Sequence, residues 1–211
     1  HIVVVDDNSP DNTSKLVLDF INKNNYHNKV HIISRKNKSG RGSAVLEGFK
    51  WGLKNTENIA CYVEMDCDFS HSPDDINKGK ELSKKFDFVI GSRYPHGIII
   101  NWSIQRRIFS FFANQLIRLL ISRSIADYTN GFRFYSSDVI KYLLTKNINS
   151  TGYICLSEIA AILLKANYTH SSFAITFRNR IRGKSNLNLI EIINSLKLIL
   201  KISWSYRFGK L

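Results

Sequence analysis

Short apolar, β-branched runs alternate along the first ninety-odd residues with stretches whose apolar positions recur at helical spacing. "IVVVD" (2–6) predicts a strand that ends in acids. "SPDNTSKLVLDFINK" follows, with Leu16, Phe20 and Ile21 on one helical face and Asn12 or Thr13 as N-cap. "VHIIS" (30–34) predicts a second strand, and "GRGSAVLEGFKWGLK" (40–54) a Gly-rich entry into a second helix. "IACYVEMD" (59–66) is a third strand. "SPDDINKGKELSKK" starts a helix with Pro73 in its first turn, and "FDFVIGSRY" (86–94) is a fourth strand. Apolar runs separated by helices predict an α/β fold with a doubly wound, parallel sheet covered on both faces.

After residue 95 the pattern changes. A long helix is predicted over 101–124, then a loop, a short strand and a helix through "DYTNGFRFYSSDVIKYLL". "SEIAAILLKAN" predicts a helix, "YTHSSFAITF" a strand, "RNRIRGKSN" a basic loop and "LNLIEIINSLKLILKISW" a closing helix. No linker interrupts the chain, so one domain is expected over 1–186, with 187–211 as a C-terminal amphipathic, membrane-proximal helix. The chain starts inside a strand-like run without Met and is expected to lack a preceding strand.

Charge changes this picture through its placement. The chain carries 30 Lys and Arg against 17 Asp and Glu. Residues 1–101 are nearly balanced, but 102–133 hold five Arg against Asp127 alone, and 165–211 hold nine basic residues against Glu191 alone. An anionic partner is implied there, either phosphate, a membrane surface or nucleic acid. The plainer alternative is a solubilising face. Cys61, Cys67 and Cys155 are odd in number and form no C-x-x-C pair, which argues against a disulfide framework or zinc site and fits a reducing compartment.

In an open α/β sheet, ligands collect at the carboxyl ends of strands. Polar residues cluster at such ends here: Asp6 and Asp7, Asp66 and Asp68, then Gly91, Ser92 and Arg93. They are expected to converge on one crevice. Asp66 and Asp68 repel each other unless water or a cation lies between them. Hard carboxylate oxygens suit Mg²⁺ or Mn²⁺, ions that bridge a few carboxylates to substrate phosphates. D-x-D alone is a weak signal, because acids after a strand also form turns.

The strings "VVVDDNSPDNT", "RGSAVLEGFKWG", "EMDCDFSHSPDDI", "GSRY", "DYTNGFRFYSSDVI" and "RGKSN" occur together in the order seen in dolichol-phosphate mannosyltransferases, which the chain resembles over about residues 2–200. These are family 2 glycosyltransferases. The resemblance implies a GT-A, Rossmann-like α/β fold with a mostly parallel sheet, helices on both faces and C-terminal amphipathic helices. It implies metal-dependent, inverting transfer of mannose from GDP-mannose to a polyprenyl (dolichyl) phosphate.

By that likeness Val5 and Asp7 would contact the nucleotide base. Asp66 and Asp68 would hold Mg²⁺ or Mn²⁺ and the donor diphosphate, with Cys67 contributing backbone. Ser70 stands where some relatives carry Gln and would reach the metal through a water. Arg93 would meet the donor sugar or phosphate, and Asp68, Arg93 and Arg133 form the expected catalytic set. Arg106, Arg107 and Arg133 resemble the acceptor-phosphate residues; which of Arg106 and Arg107 points inward stays open. Many relatives carry a basic residue where this chain has Phe111. Arg180 and Asn186 lie in a loop resembling the family's mobile basic loop and join the nucleotide set, Asn186 replacing the usual Lys. Asp127 is expected to line the site or orient a neighbour, and His71 and Glu158 to be structural.

Two basic amphipathic stretches offer a route to the lipid. Residues 102–123 pair Trp102, Ile108, Phe112 and Leu116 with Arg106, Arg107, Arg118 and Arg123, and 187–204 pair Leu and Ile with Lys197, Lys201 and Trp204. They are expected to lie at the cytoplasmic face of a membrane, directly or through a membrane-protein partner. Ordinary packing with snorkelling Lys and Arg is the alternative. Three rival functions remain: a UDP-glucose or other sugar-nucleotide transferase, a nucleic-acid-binding module, and an inactive scaffold. Nucleic acid is not an expected partner, because strand-end acids would repel its backbone.

Overall fold

β-Branched residues suit a pleated backbone, and Ile2–Asp6 (β1) pairs in parallel with Val30–Ser34 (β2), from Ile2 opposite Val30 to Asp6 opposite Ser34. Parallel neighbours need a crossover, which helix α1 (Thr13–Asn24) supplies. Asn12 stands at its N-cap position, as expected, but without the expected cap bond. Asn12 takes a left-handed φ of 58° and its side chain caps nothing. Asp11 instead accepts from the Thr13 amide at 3.2 Å and hydroxyl at 2.6 Å. Helix α2 (Arg41–Asn55) lies so close to β1 that a Cβ on Gly48 would stand 3.3 Å from Val5 Cγ2.

The computed structural model describes residues 1–37, 40–150, 152–179 and 189–209, without the side chains of 189–193. The chain divides into two units, His1–Asn58, described above, and Ile59–Leu211.

In the second unit, β3 (Tyr62–Glu64) leads through a 3₁₀ turn, Pro73–Asp75, into α3 (Ile76–Leu82). The buried strand β4 (Phe88–Ser92) and the short β5 (Ile98–Ile100) precede α4 (Ile104–Leu120). Then come β6 (Arg133–Tyr135), α5 (Ser137–Leu144) and α6 (Ile154–Lys165). The expected single strand near the end is two, β7 (His170–Ala174) and β8 (Thr176–Arg178), followed by α7 (Leu189–Phe208).

The main sheet runs β3-β6-β4-β7. Strand β7 is parallel to β4, and β8 is parallel to β5. Strand β6 enters antiparallel between β3 and β4. This four-stranded sheet is therefore mixed, with two antiparallel pairs and one parallel pair where a mostly parallel sheet was expected; the pairs β1-β2 and β5-β8 are parallel.

Val89, Phe132, Phe134 and Ile175 form a buried cluster, with Cys61, Met65, Phe173 and Phe177 packed on it. Helix α3 approaches this cluster through Gly79, where a Cβ would stand 2.2 Å from the Phe134 ring. Helix α6 is buried from Cys155 to Leu163. Its Glu158 accepts from the amides of Asn149 at 3.2 Å and Ser150 at 2.7 Å, the structural part expected of it. Helix α7 is tied to α6 and α4. Lys165 Nζ donates to the Ser205 and Tyr206 carbonyls, and Ser203 Oγ donates to the Leu120 carbonyl at 2.6 Å.

Candidate active site

The tip of β3 carries Asp66, Cys67 and Asp68 into a tightly folded loop. Ser70 donates twice to Asp68 Oδ1, from its hydroxyl at 2.5 Å and its amide at 3.0 Å. This gives Ser70 the part of orienting Asp68. Between them Phe69 takes a φ of 63° while 77% exposed. A bulky side chain in the left-handed region costs on the order of 1–3 kcal/mol, so the surrounding bonds must hold it there. Cys67 is exposed.

His71 supplies one such bond. Its Nδ1 accepts from the Asp66 amide at 3.3 Å, so Nε2 carries the proton and donates to Asn130 Oδ1 at 2.9 Å. Asn130 Nδ2 in turn donates to the Gly91 carbonyl. The ring stacks on Phe132 at 5.2 Å and meets Phe177 edge-on. Arg178 then closes the loop from β8, its amide donating to the Ser70 carbonyl at 3.0 Å. His71 is structural, as expected, and what it structures is the acidic tip.

At the end of β4, Arg93 is buried and clamped by Asp127. Its Nε and one terminal nitrogen each donate at 2.8 Å to different carboxylate oxygens, and its amide donates at 3.0 Å. Burial pushes the Asp127 carboxyl up, but the Arg93 charge and hydrogen bonds from Arg93 and Thr129 outweigh it and hold it below its ordinary value. Burial alone would lower the Arg93 pKa; Asp127, with Asp66 further off, raises it instead. Asn114 of α4, fully buried, donates to Asp127 at 3.2 Å and accepts from the Tyr128 amide at 2.9 Å. Asp127 is thus the orienting residue, and Asn114 escaped sequence reading because a lone Asn inside a helix carries no signature.

The arginines expected at an acceptor phosphate separate. Arg106 lies over Trp102, 4.0 Å from the ring centroid, and donates to Asn179 Oδ1 at 2.8 Å. Arg107 is exposed and donates to the Ile99 carbonyl at 2.6 Å. Arg106 is therefore the one facing the Arg93 neighbourhood. Arg133 departs from expectation. It has no exposed surface, and its guanidinium is taken up by the carbonyls of Asn130 at 3.0 Å, Leu156 at 2.7 Å and Tyr128 at 2.8 Å. Its charge braces the loop before β6. Trp102, expected on an exposed amphipathic stripe, is only 8% exposed. Phe111 packs edge-on against Tyr94. Arg180 and Asn186 lie outside the described residues.

In the first unit, Asp6 is buried and accepts from Ser14 Oγ at 2.6 Å and the Ser9 amide at 3.3 Å; these bonds lower its pKa. Asp7 Oδ1 is held by Arg35, which also donates to Ser43 Oγ at 2.7 Å and pairs with Glu47 at 3.5 Å. Val5 lies half-buried in β1. Arg35 was not singled out by sequence, where an Arg after a strand beside other bases reads as solvated surface.

Two half-buried carboxylates beside a pinned arginine suit a hard divalent ion. No group of three His, Cys, Asp or Glu side chains placed to hold a metal occurs among the described residues. Two carboxylates would leave most of the coordination sphere of such an ion to other ligands.

Residues 1–144 match glycosyl transferase family 2. The chain is 34% identical over 190 residues to the polyprenol monophosphomannose synthase of Mycolicibacterium smegmatis, covering 89% of this chain and 70% of that one. It is 31% identical over 189 residues to the undecaprenyl-phosphate mannosyltransferase of Micrococcus luteus, covering 89% and 75%. Among solved structures, glucosyl-3-phosphoglycerate synthase from Mycobacterium tuberculosis superposes with a TM-score of 0.62 at 13% identity, over 97% of this chain and 68% of that one. The last likeness bears on fold, which is the α/β GT-A-like arrangement.

Proposed function

Since this chain belongs to glycosyl transferase family 2 and is a glycosyltransferase, we propose that it moves mannose from GDP-mannose to a polyprenyl phosphate, with inversion at the anomeric carbon. The observation that carries the reading is the Asp66–Asp68 tip, held by Ser70 and His71 with Arg93 close enough to feel the Asp66 charge.

Asp66 and Asp68 are the residues that would hold Mg²⁺ or Mn²⁺. When bound there, the ion would supply charge neutralisation at the donor diphosphate. The chain's own residues do the rest. Val5 and Asp7 meet the base, and Arg35 fixes the Asp7 carboxylate for it. Arg93, kept cationic by Asp127, stabilises charge growing on the leaving group. Arg106 meets the acceptor phosphate. That phosphate oxygen is already ionised, so no strong general base is required. It forms its bond to the anomeric carbon as the bond to the diphosphate oxygen breaks, and the electron pair leaves with the nucleoside diphosphate.

The rival donor is UDP-glucose. A transfer assay with a short polyprenyl phosphate and Mg²⁺ or Mn²⁺ should give faster turnover with GDP-mannose. Asp68→Ala should lower turnover about 100-fold or more. Full metal-dependent turnover in that variant would end this assignment.

The acceptor is a lipid, so we place the protein at a membrane surface. No helix among the described residues is long and apolar enough to cross one. The reading is supported by two exposed apolar stripes: Ile104, Ile108, Phe112 and Leu119 on α4, and Leu196, Leu200, Trp204 and Phe208 on α7.

A further inference from the structure

Trp102 presents a buried donor without a partner. Its indole Nε1 makes no hydrogen bond among the described residues, although the residue is only 8% exposed. An unsatisfied buried N–H is costly, and native structures nearly always provide it with an acceptor. The three side chains that lie against this ring offer none. Arg106 lies over it at 4.0 Å and Arg93 at 5.4 Å, and a guanidinium only donates. Phe177 meets it edge-on at 5.4 Å. No described residue answers this donor, and a bound ligand can.

The same neighbours define its chemistry. Two cations beside one indole favour an anion, and a phosphate offers several acceptor oxygens. Arg118 Nε, the other such donor among the described residues, makes a useful contrast. Its terminal nitrogens already reach Gln115 and the Arg123 carbonyl, and its side chain is half-exposed, so solvent is within reach. Trp102 has neither relief.

We propose that the Trp102 indole N–H is a substrate-binding group that donates to a phosphate oxygen of a bound substrate, beside Arg106 and Arg93. This rests on the glycosyltransferase reading of the site and adds a residue to it. The phosphate belongs either to the polyprenyl phosphate or to the donor diphosphate, and the test separates the two.

The test follows the indole N–H resonances of the ¹⁵N-labelled chain, whose three tryptophans are Trp51, Trp102 and Trp204. Trp51→Phe and Trp204→Phe assign the Trp102 peak by elimination, so no variant of Trp102 itself is needed. The chain is titrated with a short polyprenyl phosphate alone, and separately with a nucleoside diphosphate and Mg²⁺, while calorimetry records binding. A downfield move of the Trp102 peak with one ligand supports the proposal and names the source. Both ligands binding without moving that peak overturns it and leaves the function of the site standing. Failure of both ligands to bind overturns the proposal and the transferase reading together. Trp102→Phe keeps an aromatic ring and removes the donor, so KM for the identified ligand should rise about tenfold with little change in melting temperature. An unchanged KM in a folded Trp102→Phe would also sink the proposal.

Discussion

A carboxylate without exposed surface stays ionised in Asp127 because Arg93 stands against it. Removing one partner of such a pair leaves a buried charge and costs about 3–5 kcal/mol. Asp127→Asn should therefore lower the unfolding free energy measured by urea denaturation by about that amount at neutral pH, and misplace Arg93, reducing turnover as well. The sign with pH follows from the depressed carboxyl. Its contribution is present above the ordinary value of 3.8 and is lost as pH falls through the lower folded value. Chemical-denaturation curves from pH 7 down to about pH 2 should show that acid loss in the native chain and a shallower one in Asp127→Asn. Arg133 is the instructive contrast. Arg93 follows the end of β4 and Arg133 opens β6, yet the first meets a carboxylate near the acidic tip and the second is consumed by three carbonyls. Motif position located both residues; only the packed loop separated their tasks.

At the scale of elements, the acidic tip is held by strands distant in sequence. His71 reaches Asn130 before β6, Asn130 reaches Gly91 in β4, and Arg178 in β8 reaches Ser70. The sheet interior must therefore be packed accurately for the tip to form. Helix α3, which follows the tip, is seated by Gly79 against Phe134. Gly79→Ala would add up to about 1 kcal/mol of helix propensity but drive a methyl into the ring, and overpacking costs about 1–3 kcal/mol. At 2.2 Å the overlap wins. The variant should unfold at lower urea with an unchanged slope, and Phe134→Leu should recover part of the loss in a double-mutant cycle. Most elements were legible because their apolar periods are clean. Strand β5 and the break between β7 and β8 were not: Ile98–Ile100 is a bare apolar triplet beside a predicted helix, and Ile175 continues the apolar run of β7 into β8.

At the scale of the whole molecule, charge and apolar exposure fall in the same region. The exposed stripe of α7 repeats every four residues, and Lys197 and Lys201 stand beside it, also exposed. Such a surface gains both from apolar burial and from attraction to anionic headgroups. Sedimentation with anionic vesicles should carry the protein down at low salt and less of it at high salt. Trp204→Ala with Leu200→Ala should reduce the bound fraction about tenfold, at roughly 25 cal/mol per Å² of lost apolar contact. Equal sedimentation with and without vesicles would remove the membrane reading and leave the transfer chemistry to its own assay.

The amino-acid pattern by itself determined the α/β class and the places where polar groups meet strand ends. Those properties follow from local period and residue chemistry, which survive in one dimension. The tertiary structure alone decided that β6 runs antiparallel, that Arg106 and not Arg107 faces the Arg93 neighbourhood, that Arg133 serves the backbone, and that Trp102 is buried with an unanswered N–H. Each of these depends on which groups from remote segments come within hydrogen-bonding distance. That is settled by packing, because a buried donor or charge takes whatever partner the folded chain puts beside it.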